Sequence, residues 1–368
     1  MRKEQISRYQ LILLLIWLTM GTGVLVIPSV ITEFTVTDAW MAVPSLFVGG
    51  LLSAGIARVH VKKFPNLRVT GALLATAGSA IGNVLIIWYV SVVFVVGTVV
   101  AREFTLFVTM VSLPYTSETA VAVIGCASVA YIAYVGIESF ARANEFIVPL
   151  AAVVLPLLIL LPLTLCDVHQ FYPVFSSGWL PVWKASIVSM FVYGLEFSLA
   201  IQLVPNLRSP EKLPNDIVIA ASISTVLILI VVLLTVGVFG YTVRYLQYPV
   251  LELIRVVRIG RFIERLDTIY GIAVLMTIIS KLAVIHLAMC TGIQDLCKTR
   301  DYRWAVLPTG TAMFVGGLYF YRNVAQMAYF IEHVGPSYLL FTVVGVPLLG
   351  LTLQRVRFHL KRRARKGG

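Results

Sequence analysis

Thr19-Met20-Gly21-Thr22-Gly23-Val24, with Pro28 one turn later, interrupts the first long apolar run of the chain. Tyr193-Gly194-Leu195-Glu196, with Pro205 near its end, interrupts another run in the second half. Glycine weakens a helix, and in lipid each backbone group that leaves the helical ladder must find a new partner. Such breaks persist at membrane depth where they line a cavity or a ligand. A matched pair in two halves of a chain marks the midplane site of a transporter-like core. The simpler alternative is that Gly21 and Gly23 only let neighbouring helices approach closely.

Composition frames these runs. The 368 residues are 59% hydrophobic and 12% charged, with a mean hydropathy of +0.92. Uncharged runs recur from end to end, as in an all-α polytopic membrane protein. No polar stretch exceeds about 30 residues, too few for a separate soluble domain. The first run, after Arg2, Lys3 and Arg8, is too long for a signal-peptide core and reads as a retained helix. Four cysteines (Cys126, Cys166, Cys290, Cys297) form no C-x-x-C pair and read as membrane thiols rather than a metal or disulfide framework.

Ten spans are expected, near 10–31, 39–57, 79–103, 119–137, 146–165, 184–204, 216–242, 269–292, 304–320 and 337–355. The third run is longer than one crossing needs, and its start, with Gly71, Gly78 and Gly82, reads as an interfacial or re-entrant piece. Ten crossings place 20 of the 29 basic residues on the side of the amino terminus. By the positive-inside rule both termini are then cytoplasmic, and the net charge of +12 signals topology rather than nucleic acid. Breaks in the first and sixth spans suggest a 5+5 inverted repeat, about 10–165 and 184–355, within one membrane domain. Residues 356–368 form a basic tail, most simply an inside anchor on anionic lipid.

One outer segment, 243–268, departs from the charge rule. Arg255, Arg258, Arg261 and Arg265 share one helical face, with Leu253, Val256 and Ile263 on another. This predicts an amphipathic interfacial helix, either a cover for the outer mouth of the bundle or a partner-facing docking surface.

Two charges fall inside spans. Glu196 sits beside the second break, where it would stabilise an ammonium group, pair with a lysine or hold a proton. It would equally serve as a buried acid bonded to freed backbone. Lys281 lies near the middle of the eighth span, too deep to snorkel easily. It reads either as a fixed coupling charge or as a structural ion pair, with Glu196 as the candidate partner. At the first break, a helix restarting at Val24 would offer free N–H groups to a carboxylate, with Thr22 adding a hydroxyl. Tyr89, Ser91 and Asn83 are softer candidates for a cavity wall, and His286 reads as structurally satisfied. The expected substrate-binding set is Gly21, Thr22, Gly23, Tyr89, Tyr193, Gly194, Leu195 and Glu196. No P-loop, catalytic triad or metal-ligand spacing is present in the sequence, so neither an enzyme nor a cofactor is expected.

The motifs Ile6-Ser7-x-x-Gln10, Met20-Gly21-Thr22-Gly23 with Pro28, Phe64-Pro65, Tyr193-Gly194-Leu195-Glu196-Phe197 and Pro205-Asn206-Leu207 resemble the endospore germination permeases of the GerAB type. So does the long loop Pro249-x-x-Glu252-Leu253-x-Arg255-Val256-x-x-Ile259-x-x-Phe262-x-Glu264-Arg265-x-Asp267. The resemblance covers nearly the whole chain. It implies the ten-helix, LeuT-like inverted-repeat core of the amino acid–polyamine–organocation transporter superfamily, with discontinuous first and sixth helices. It also implies the B subunit of a germinant receptor in the inner membrane of bacterial spores, working with an A-type membrane subunit and a C-type lipoprotein. Small nutrients, often amino acids, would be the signals. Three roles fit: a nutrient-binding receptor subunit, a proton-coupled amino acid permease, and a structural subunit with a vestigial pocket.

Overall fold

A computed structural model of the protein describes residues 4–176, 178–256 and 266–352. The ten expected spans each meet a helix: α1 (Arg8–Phe34), α2 (Pro44–Lys63), α3 (Val69–Phe107), α4 (Glu118–Val135), α5 (Ile147–Leu160), α6 (Trp179–Asn206), α7 (Leu213–Phe239), α8 (Leu266–Cys297), α9 (Arg303–Phe320) and α10 (Val324–Thr352). Among the described residues, eight helical segments are long and apolar enough to cross a membrane; α5, of 14 residues, and α9 stand outside that eight. Residues 353–368, and with them the basic tail at 356–368, lie outside the described residues.

Burial sorts the helices. The apolar windows of α1, α6 and α8 are 89%, 78% and 72% buried, whereas that of α10 is 33% buried. A helix apolar all round belongs in the middle of a bundle. The two interrupted runs and the lysine-bearing helix therefore form its centre.

The chain's start shows why one of its motifs is built as it is. Ser7 and Gln10 form a capping box: the Ser7 hydroxyl accepts from Gln10 N, and Gln10 Oε1 accepts from Ser7 N at 2.8 Å. Two donors at the N-terminus of α1 are satisfied this way. Ile6 pairs with the Pro205-Asn206-Leu207 turn, donating to Asn206 O at 2.9 Å and accepting from Arg208 N at 3.1 Å. Arg8 binds the buried Asp216 at 2.6 Å. Glu4 accepts from Ile137 N and from Arg303, while Arg68 meets Asp295. These contacts gather one set of connections at one end of the bundle. At the other end Arg244 meets Glu33, Asp38 accepts from Phe175 N, and Arg102 reaches Glu118 and the Arg322 carbonyl.

α3 is broken near its start. Gly78 (φ 78°, ψ 179°) breaks its helical path. The first piece turns back, so that a Cβ on Gly82 would stand 3.0 Å from Leu74 Cα. That backbone region is open essentially to glycine alone.

α1 corrects the sequence reading. It runs through Gly21 and Gly23 as one continuous α-helix. Glycine in a helix costs only about 1 kcal/mol relative to alanine, which neighbours can offset. The neighbours here are close: a Cβ on Gly21 would lie 2.7 Å from Thr277 O of α8, and one on Gly23 would lie 3.1 Å from Ile228 of α7. Close packing, the simpler alternative, is what these two glycines provide. α6 is irregular where expected. After Trp179–Val188 it passes into a π-helical stretch, Ser189–Gly194, and then a 3₁₀ stretch, Leu195–Asn206. The helix changes gauge at Gly194 rather than unwinding.

The short helix Pro249–Val256 buries Val250, Leu251, Leu253 and Ile254, while Val256 is exposed. It packs on α1, α7 and α8, as a cover would. Arg255 pairs with Glu252 at 2.8 Å on its own helix. Arg258, Arg261, Ile263 and Arg265 lie outside the described residues.

Candidate functional site

Five helices converge on a small cavity of about 40 Å³. Thr22 enters from α1, Glu103 from α3, Tyr193 and Glu196 from α6, Lys281 from α8, and Ile331 and Tyr338 from α10. The volume corresponds to a few water-sized spheres. Two of its walls are π-helical: Ser189–Gly194 in α6 and Phe330–Val334 in α10. Such turns concentrate at functional sites, because the extra residue re-aims side chains and leaves helical bonding locally loose.

The charges are arranged tightly. Lys281 Nζ donates to Glu196 Oε1 at 2.7 Å, to Glu196 Oε2 at 2.8 Å and to Thr22 Oγ1 at 2.7 Å. All three ammonium protons are thereby used. Both side chains are almost wholly buried, and Nζ lies 5.9 Å from the Tyr193 ring centroid. Lys281 and Glu196 are thus in direct contact as an ion pair. It ties α8, α6 and α1 together at mid-depth.

The other predicted residues divide. Thr22, Tyr193 and Glu196 line the cavity. Tyr89 and Leu195 line a neighbouring space of about 30 Å³, which shares Val96, Glu196 and Leu339 with the first. Gly194 makes a backbone contact with α2: a Cβ there would lie 2.7 Å from both Gly49 Cα and Leu46 O. Gly21 and Gly23 face α8 and α7 rather than the cavity. The N–H groups after Gly23 belong to the continuous ladder of α1, so the expected carboxylate cradle is not formed. Ser91 is spent on the Trp88 carbonyl, and His286 Nε2 contacts the Val306 carbonyl and Thr309 at 3.0 Å each. The described residues include no group of His, Cys, Asp and Glu arranged to hold a metal.

Sequence reasoning missed Glu103. It stood at the expected end of the third span, where a charge reads as a loop residue. In the structure α3 continues to Phe107 and then into a π-helical turn, Val108–Ser112, which draws Glu103 inside. Its side chain is buried, and its Oε2 has no hydrogen-bond partner. The sequence signal was the adjacent apolar stretch Phe104 to Ser112, which extends the run past both charges.

A wider, largely apolar groove of about 380 Å³ runs between α2, the start of α3 and α10, with His60 and Lys63 toward one end. It shares Tyr89, Ser198, Thr342 and Val343 with the second small cavity. The three spaces thus form a stepwise series from the ion pair to the groove.

Eight helical segments among the described residues are long and apolar enough to cross a membrane around a buried central ion pair, as in an integral membrane protein, and the fold is that of LeuT-like transporters. The chain belongs to the spore germination protein family, whose profile matches residues 5–325. Spore germination protein KB of Bacillus subtilis (strain 168) is 23% identical over 335 residues, covering 89% of this chain and 88% of that protein. In fold the chain is similar to MhsT, solved in complex with L-phenylalanine, with a TM-score of 0.67 and 15% identity over 96% of this chain and 93% of that one. It is also similar to Mhp1, a nucleobase-cation-symport-1 family transporter solved in a closed conformation with bromovinylhydantoin bound, with a TM-score of 0.63 and 13% identity over the same shares of the two chains.

Proposed function

We propose that this chain is the B-type membrane subunit of a spore germinant receptor, and that it takes a small nutrient, an amino acid, in the five-helix cavity. The observation that carries the reading is a cavity lined by a buried ion pair at the centre of a transporter fold, in a chain of the spore germination protein family. A ligand shifts a conformational equilibrium only by binding one state more tightly than another. Opening of the π-helical walls of α6 and α10 around the nutrient would supply the second state. The signal would pass to an A-type membrane subunit and a C-type lipoprotein in the inner spore membrane, with both termini of this chain cytoplasmic and ten crossings in a 5+5 repeat. Arg255, Arg258, Arg261 and Arg265 would then lie on the outer side, on the cover segment.

The series of spaces from the ion pair to the groove favours a second reading, a proton-coupled amino acid permease. Purified protein in proteoliposomes, given labelled amino acids, separates the two. Saturable binding without gradient-sensitive accumulation supports the receptor. Accumulation supports the permease, and neither binding nor accumulation leaves the structural subunit with a vestigial pocket.

A further inference from the structure

The cavity wall carries two carboxylates, Glu103 and Glu196, against one ammonium, Lys281. Lys281 is committed to Glu196: both carboxylate oxygens accept from it, and its third proton goes to Thr22. Glu103 has no such partner. It is 5% exposed, and its Oε2 is buried and unbonded. A buried, unpaired carboxylate is costly unless it takes up a proton or a cation. The charge the site lacks is therefore positive.

The rest of the wall narrows the class. Val96, Val99, Val100, Val192 and Leu339 surround the two carboxylates. Thr22 and Glu196 are occupied by Lys281, which leaves the Glu103 carboxylate and the hydroxyls of Tyr193 and Tyr338 on this wall, fewer oxygen atoms than the roughly six to eight a hard cation such as calcium takes. An alkylammonium needs fewer. One charge-assisted bond to Glu103, the face of the Tyr193 ring and apolar contact for its carbon atoms would suffice. The N–H groups that follow Gly23 are not free for a carboxylate, because α1 is continuous.

We propose that Glu103 anchors the ammonium group of the ligand, and that the site selects small primary ammonium compounds by their amine end rather than by their carboxylate. The proposal rests on reading the five-helix cavity as the ligand site. Lys281 then serves to hold Glu196 in place and does not touch the ligand's acid group.

The test uses the full chain in lipid nanodiscs and four titrants followed by calorimetry: glycine, methylamine, acetate and potassium chloride. Glycine and methylamine should bind saturably, with acetate and potassium chloride at least tenfold weaker. Glu103→Gln, which keeps the shape and removes the charge, should weaken methylamine at least tenfold. Acetate binding as well as glycine, potassium matching methylamine, or methylamine binding unchanged in Glu103→Gln would each overturn the proposal. Wild-type protein that binds none of the four overturns it as well. The comparison of methylamine with acetate on wild-type protein decides even if Glu103→Gln does not fold. Val96→Phe, which adds bulk between the two small cavities, separates the two levels. If Val96→Phe abolishes glycine binding while the amine preference fails, the pocket stands and the cation assignment falls. Glycine binding untouched by Val96→Phe removes the pocket itself.

Discussion

Lys281 of α8 places its ammonium 2.7 and 2.8 Å from the two carboxylate oxygens of Glu196 on α6, with both side chains buried. Removing one partner of such a pair strands the other, at a cost of about 3–5 kcal/mol. Lys281→Met and Glu196→Gln are each expected to lower the thermal stability of the purified protein strongly. The double variant should lose less than the sum, with a coupling of at least ~1 kcal/mol. Additive losses in thermal unfolding would mean that the two groups do not act on each other.

The glycine contact between α2 and α6 makes a sharper stability test. A Cβ on Gly194 would meet Gly49 Cα and Leu46 O, which are backbone atoms with no rotamer to yield. Gly194→Ala should cut the yield of folded, monodisperse protein. Gly55→Ala, also on α2 but facing open space, should be neutral or raise stability by up to about 1 kcal/mol, since alanine is the better helix former. Size-exclusion profiles and melting temperatures of the two variants check the contrast.

Gly78 holds the turn at the start of α3 with φ 78° and ψ 179°. Gly78→Ala forces a side chain into that region, at a cost of about 1–3 kcal/mol. The expected readout is faster hydrogen exchange confined to residues 69–77 and to the Gly82 contact. Exchange unchanged in that segment would argue that the turn tolerates a side chain.

The capping box at Ser7 predicts a smaller effect. Ser7→Ala removes the acceptor for Gln10 N and should cost about 1 kcal/mol, whereas Ser7→Asp should restore most of it. Melting curves of the pair report whether the cap or the residue's bulk matters.

Much of this was legible in the sequence. Lys281 and Glu196 stood out because a charge in a long apolar run has few structural excuses, whereas the cap made by Ser7 and Gln10 came only from the structure. The glycines misled. Gly21 and Gly23 permit either unwinding or close approach, and only the position of Thr277 O and Ile228 across the gap chooses between them. Glu103 was hidden because a span end drawn by charge stops at the charge, whereas the bundle draws the helix further in. The π-helical register of α6 and α10 left no trace that periodicity could catch.

The most direct test of the ligand-site account is equilibrium binding of a panel of labelled amino acids to the full chain in nanodiscs, wild type against Val96→Phe. Val96 lines both small cavities beside Glu196. The account predicts saturable binding of at least one amino acid to the wild type and its loss in a Val96→Phe protein that melts and elutes normally. Equal binding by both proteins would contradict it, because the ligand would then sit elsewhere.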